Sequence, residues 1–182
     1  MPIITIDRYD ISLLDALQRN GNATNAALGD AVHLSASQIS RRLQRLADTG
    51  IIRGHAALLD PSAIGLGVTA FAHVTLERHG KAHSDAFENA AMAMPEVMDC
   101  FSVSGDADYL LRLVAPDLPA FSELMMKRVL RLPGVAHIKT NIALQKVKQT
   151  HVLPLDHLTQ PARERKQLRY AAGREPAAGG TT

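Results

Sequence analysis

Ser35 stands three residues ahead of Gln38, and Ile39, Leu43 and Leu46 then recur at i, i+4 and i+7. That combination allows very little except a short amphipathic helix. The Ser/Gln spacing is a capping box, which satisfies two orphan N–H groups of a helix start reciprocally. The apolar stripe turns one face inward. The rest of the surface carries Ser37, Gln38, Arg41, Gln44 and Arg45, with Ser35 at the cap and Arg42 flanking. Those side chains hydrogen-bond base edges and phosphates. The helix therefore reads as one that lies in a DNA groove.

Its neighbours supply the rest of a helix-turn-helix. Asp7 can cap a first helix running to Arg19, with Ile11, Leu14 and Leu17 on one stripe and Asn20-Gly21 as its stop. Thr24 can cap a second, with Ala27, Leu28, Ala31 and Val32 on its packed side. His33-Leu34 then makes a tight turn into the third, the spacing of a helix-turn-helix. Asp48-Thr49-Gly50 ends the third helix, and the β-branched run Ile51 to Ala56 is expected to form the strand of a small wing. Residues 1–60 hold six Asp and six Arg, a neutral balance. Yet Arg41, Arg42, Arg45 and Arg53 fall within thirteen residues and are opposed only by Asp48. Positive charge gathered on one helix and the segment after it is the footprint of a phosphate-facing surface.

The second part of the chain changes period. Gly67 to Glu77 alternates, placing Val68, Ala70, Ala72, Val74 and Leu76 on one face and Thr69, Phe71, His73 and Thr75 on the other. A helix is expected from Lys81 to Met94, strands at Val97–Ser104 and Asp108–Ala115 around the Gly105-Asp106 turn, a helix after Asp117, and a long strand from Val135 to Lys148. The order β-α-β-β-α-β is the split βαβ arrangement of a ferredoxin-like sheet with helices on one face. The fold class is thus α+β. Its expected domains are a winged helix-turn-helix over 1–60, a βαββαβ domain over 61–153, and a basic, largely disordered tail over 154–182. Apolar side chains on both faces of the first long strand call for a cover on the open face. A second copy of the chain is the simplest, hence an expected homodimer.

Function classes are narrowed by what is missing. No segment of the 182 residues approaches the ~20 apolar positions of a membrane span, and the N-terminus lacks the regions of a signal peptide. Cys100 is the one cysteine, so an internal disulfide is excluded, in keeping with a cytoplasmic location, and the thiol reads as a small apolar residue in a strand. The eight histidines show no ligand spacing; His79 and His83 are four apart but without a Cys or carboxylate partner, so no metal is expected. Nucleophile elbow, P-loop and GxGxxG patterns are absent, so no cofactor and no catalytic residue is expected. In the tail, Arg163, Arg165, Lys166, Arg169 and Arg174 outnumber Glu164 and Glu175. A short helix is conceivable from Ala162 to Ala172, and the basic stretch could add phosphate contacts.

From Asp7 to Lys148 the chain resembles the Lrp/AsnC family of transcriptional regulators. The resemblance rests on Asp7-Arg8-Tyr9-Asp10, Leu34-Ser35, Arg42 with Leu46, Gly50-Ile51-Ile52, Leu59-Asp60-Pro61, Pro95-Glu96-Val97, Ser104 to Leu111, Pro133-Gly134-Val135 and Thr140, in that order and spacing. It implies a RAM-type second domain and binding of double-stranded DNA through Ser35, Ser37, Gln38, Arg41, Arg42, Gln44, Arg45 and Arg53. It further implies dimers that associate into octamers, and a small effector, typically an amino acid, bound at Ser104, Gly105, Asp106, Asp108 and Thr140. Two alternatives share the pattern: a chromosome-organising protein, and a siroheme-decarboxylase-like subunit, which should dispense with a basic recognition helix. Some positions depart from the family. Gly29 lies within a helix where Ala is usual, at about 1 kcal/mol of helix propensity. His33 takes a turn position where Gly is frequent. Ala107 and Ile138 replace an aromatic and a Thr beside the implied effector loop.

Overall fold

The computed structural model describes residues 4–77, 80–159 and 168–171. The chain forms two compact units. One is built from the described residues of Met1–Ala56 and Lys148–Thr182, and the other is Ala57–Val147.

In the first unit, strand β1 (Ile4–Asp7) leads into helices α1 (Arg8–Arg19), α2 (Asn25–Val32) and α3 (Ala36–Asp48). Each helix begins where the sequence says it should. Asp7 accepts from Asp10 N–H and Asp10 answers on Asp7 N–H, Thr24 accepts from Ala27 N–H, and Ser35 and Gln38 close the second capping box. The core gathers Ile6, Leu13, Leu17, Leu28, Val32, Ile39 and Leu46.

The expected wing strand does not form. After α3, Gly50 turns at φ +75° and the Ile52 N–H reaches back to the Leu46 carbonyl. This folds Ile51 and Ile52 onto the helical core, and Arg53 to Asp60 runs exposed without a ladder partner among the described residues. The strand that does exist, β1, pairs in parallel with β6 (Leu168–Ala171), from Ile4↔Leu168 to Asp7↔Ala171. Residues 148–159 pack with this first unit. Leu158, only 8% exposed, completes the helical core with Leu155 beside it. Gln18 also brackets the Leu153 backbone, its amide donating to the carbonyl at 2.9 Å and its oxygen accepting from the N–H at 2.8 Å. The two compact units divide after Ala56 and after Val147, a few residues ahead of the expected 60 and 153, with the segment from Lys148 grouped with the first unit. The helix expected over 162–172 falls mostly outside the described residues, and Leu168–Ala171 within it is strand.

The second unit is the expected α+β sheet domain: β2 (Val68–Leu76), α4 (Lys81–Met92), β3 (Val97–Ser102), β4 (Tyr109–Ala115), α5 (Leu118–Lys127) and β5 (Val135–Ile142). The strands are ordered β3-β4-β2-β5 and all pairs are antiparallel. Val68, Ala70, Ala72, Val74 and Leu76 pack under Phe87 and Ala91 of α4 and Phe121 and Leu124 of α5. Cys100 is half-buried against the same core. Strand β5 stops at Ile142 rather than Lys148, because Ile142 pairs with Ala70 and β2 itself begins two residues earlier. The opposite face of the sheet is covered by neither α4 nor α5, and Phe71 and Phe101 are exposed on it.

Candidate functional site

The turn between α2 and α3 is unusually close. His33 adopts φ 58°, ψ 46°, a left-handed conformation that costs a non-glycine residue some strain, and its N–H bonds the Gly29 carbonyl. Leu34 N–H bonds the same carbonyl at 2.9 Å. A Cβ at Gly29 would stand 2.4 Å from the Leu34 carbonyl oxygen. Gly29 is thus no weak point tolerated in a helix, as propensity alone implies. It is the one residue that lets the turn pass.

Beyond that turn, α3 buries Ile39 and Leu46 and exposes Ser37, Gln38, Ser40, Arg41, Gln44 and Arg45. The candidates on this face are differently engaged. Gln38 gives its Oε1 to the Ser35 N–H at 3.0 Å, so only its amide donors remain for DNA. Gln44 donates to Asp48 at 2.8 Å. Arg41 has no carboxylate partner among the described residues. Arg42 and Arg45, by contrast, are clamped. Nη1 of Arg42 lies 3.0 Å from both Asp7 carboxylate oxygens and 2.7 Å from Asp10 Oδ1. Arg45 places Nη2 2.6 Å from Asp10 Oδ2 and Nη1 2.9 Å from the Thr5 carbonyl. Arg53 is exposed on the extended segment after α3.

Asp10 is the centre of this clamp and is 1% exposed. Burial pushes its carboxyl upward, but the hydrogen bonds from Arg45, the Asp7 backbone and Arg42 outweigh it and hold the value below the ordinary 3.8. A carboxylate depressed by folding stabilises fully above its unfolded value and loses that contribution as pH falls through the folded one. The first unit is expected to lose stability on acidification below about pH 4. Asp10→Asn should remove this acid-side slope while lowering stability at neutral pH by about 2–4 kcal/mol, since Arg45 loses its carboxylate partner and Arg42 keeps only Asp7. Urea unfolding across the acid range measures both effects. An unchanged slope in the Asn variant would assign the acid sensitivity elsewhere.

The second unit holds a cavity of about 640 Å³ on the uncovered face of its sheet. His73 and Thr75 of β2, Leu110 of β4, and His137, Lys139 and Asn141 of β5 form its floor, with Val103, Ser104, Asp106 and Ala107 of the β3–β4 loop at its side. Of the five effector positions implied by resemblance, Ser104 and Asp106 line this space. Gly105 makes the turn at φ +125°. The other two face away. Asp108 accepts the Leu76 N–H at 2.8 Å and so ties the loop to β2. Thr140 pairs with Ala72, a fully buried residue, and so lies on the helix-covered side of the sheet. The sequence signal for the imidazoles and Lys139 is the alternation that puts His73 and Thr75 on one face of β2, which the antiparallel register carries across to His137 and Lys139. Among the described residues no cluster of His, Cys, Asp or Glu could hold a metal, and His79 lies outside them.

A helix-turn-helix with its polar face exposed, joined to a sheet domain with a ligand-sized cavity, defines a DNA-binding regulator with a separate sensing domain. Comparison with known proteins makes this specific. Residues 6–47 match the AsnC-type helix-turn-helix domain, and residues 69–153 match the Lrp/AsnC ligand binding domain. The leucine-responsive regulatory protein of Escherichia coli K12 is 36% identical over 148 residues, 81% of this chain and 90% of that protein. A transcriptional regulator of Neisseria meningitidis, solved as a complex with L-Met, superposes with a TM-score of 0.80 at 40% identity, covering 84% of this chain and 99% of that one. An AsnC family regulator of Agrobacterium tumefaciens gives 0.80 at 32% identity, with coverage of 84% and 99%. The chain belongs to the Lrp/AsnC family of transcriptional regulators, a family of DNA-binding proteins rather than enzymes. No helix among the described residues is long and apolar enough to cross a membrane.

Proposed function

We propose that this regulator binds a free amino acid in the cavity beside the β3–β4 loop and works in the cytoplasm as a homodimer able to associate further. The observation that carries the ligand reading is the placement of Ser104 and Asp106 on a cavity whose other side carries His73, His137 and Lys139. A carboxylate facing cationic and hydrogen-bonding groups suits a zwitterion, the Asp taking the ammonium and the basic side the carboxylate. Val103, Ala107 and Leu110 leave an apolar wall for a side chain. The volume lies within the range of small-molecule sites. The Neisseria relative in complex with L-Met supports the ligand class. Dimerisation is supported by the sheet face turned away from α4 and α5, where Phe71 and Phe101 lie open beside the Asp99–Arg112 ion pair; this is also the face that floors the cavity, so a second copy seated on it would wall the ligand site as well.

For DNA, the proposed contacts are Ser35 at the cap of α3, Ser37, Gln38, Arg41 and Gln44 on it, and Arg53 after it. A thermal-shift screen of the amino acids tests the sensing half. A ligand present at about 100 times its dissociation constant should stabilise the protein by ~2.7 kcal/mol. Asp106→Ala should abolish the shift. A shift that survives this variant places the ligand elsewhere, and no shift with any amino acid removes the ligand class.

A further inference from the structure

We infer that Asp10, seconded by Asp7, is a positioning residue for DNA recognition. It takes Arg42 and Arg45 out of the phosphate-binding set, uses them to fix α3, and leaves Arg41 as the DNA-contacting cation of that helix. The inference rests on α3 being the DNA-reading helix and goes on to divide its arginines.

Three observations carry it. The carboxylate of Asp10 is buried, and each of its oxygens is met by a different arginine of α3, Oδ1 by Arg42 and Oδ2 by Arg45. Oδ2 also accepts the Asp7 N–H at 2.9 Å, which closes the capping box of α1. One side chain thereby joins the start of α1 to two successive turns of α3. Next, the charges balance. Arg42 and Arg45 face Asp7 and Asp10, two cations against two anions within 3.0 Å. Moving either guanidinium onto a phosphate would take one of two cationic partners from a buried anion, and a buried charge that loses part of its compensation is costly. Finally, Arg42 also stacks over the Tyr9 ring at 5.5 Å, and Arg45 is held at its other nitrogen by the Thr5 carbonyl. Both guanidinium groups are fixed by several contacts, whereas Arg41 has no carboxylate partner among the described residues. A row of three arginines that looks like a uniform basic stripe is therefore one reader and two struts.

The consequence is a difference in salt dependence, which simple destabilisation does not produce. Each phosphate neutralised by a cation contributes about 0.9 to the slope of log affinity against log salt. Arg41→Ala should lower that slope by about 1 per DNA-binding domain, so that affinity falls about fourfold less between 50 and 200 mM salt. Arg45→Gln should weaken binding to all sequences by loosening α3, yet leave the slope where it was. Asp10→Asn is the sharper variant. It keeps the shape of the side chain and releases Arg45, already 45% exposed at the rim of the groove it shares with Gln38 and Arg41. Its slope should steepen by up to about 1 while its melting temperature falls. DNA binding by the full chain, titrated over a range of salt concentrations with one target duplex, reads all three. A flattened slope for Arg45→Gln comparable with that of Arg41→Ala overturns the inference, as does an Asp10→Asn variant that folds with an unchanged slope. If Arg41→Ala also leaves binding untouched, it is the assignment of α3 as reader that fails. Should Asp10→Asn not fold, Arg45→Gln against Arg41→Ala decides alone.

Discussion

Gly29→Ala is expected to destabilise the helix-turn-helix unit, although alanine is the better helix former. The propensity difference favours the variant by about 1 kcal/mol. Against it stands a Cβ placed 2.4 Å from a backbone carbonyl oxygen, that of Leu34, which is no flexible side-chain end that could swing aside. Relief requires the start of α3 to move away from α2, and Gly29 lies among the residues buried between the helices. The Leu34 N–H and the His33 N–H both bond the Gly29 carbonyl, so the movement would strain the turn's hydrogen bonds as well. Overpacking of this kind costs about 1–3 kcal/mol, and more when backbone must shift. The expected net loss is about 2 kcal/mol, or roughly 10 °C in melting temperature for a unit of this size. DNA affinity should fall further than stability alone explains, because the displaced element is the reading helix. Calorimetry and a binding titration on the same preparation separate the two losses. A variant as stable as the parent would show that the turn is more yielding than its geometry.

The sequence was most informative where structure is local. The side-chain oxygens of Asp7, Thr24, Ser35 and Asp117 each cap the helix that their spacing foretold, since a cap is decided within four residues. Strict alternation likewise separated the two faces of β2 correctly. What was hidden depends on distant partners. Arg42 and Arg45 meet Asp10 across 32 and 35 residues, and composition alone shows four arginines and no clamp. Thr140 was assigned to the ligand side by resemblance, but its face is set by the β2–β5 register. There Thr75 opposes His137 and Ala72 opposes Thr140, with an irregularity at Thr75/Leu76. Gly29 read as a weakness because the obstacle, Leu34, belongs to the next turn of chain. β1 carries no local signal. It is four residues long, its last residue is also a helix cap, and its partner lies more than a hundred residues away.

Removal of everything after Val147 is expected to unfold the helical unit at temperatures where the whole chain is folded. The segment from Lys148 contributes Leu158 to the core, Leu155 against it, and a backbone amide that Gln18 engages from both sides. Burying a leucine is worth about 1.5–3 kcal/mol and each hydrogen bond about 0.5–1.5. Together these reach about 3–6 kcal/mol, set against a total stability of about 5–15 for a typical domain. Leu158→Ala should cost about 2–4 kcal/mol by itself, through lost burial and the cavity left behind. A chain ending at Thr159 retains both leucines and the Gln18 contact and gives up the short β1–β6 ladder, so it should keep more of its stability than the chain ending at Val147. The same pair of truncations decides how the tail serves DNA binding. A basic stretch that touched phosphate would flatten the salt dependence once residues after Thr159 are removed. A strap that only completes the fold would leave that slope intact, and the truncation at Val147 would abolish binding to every sequence alike. Melting curves and salt titrations of the two truncated chains and Leu158→Ala test both roles. Full stability in the chain ending at Val147 would return the segment to the status of an appendage.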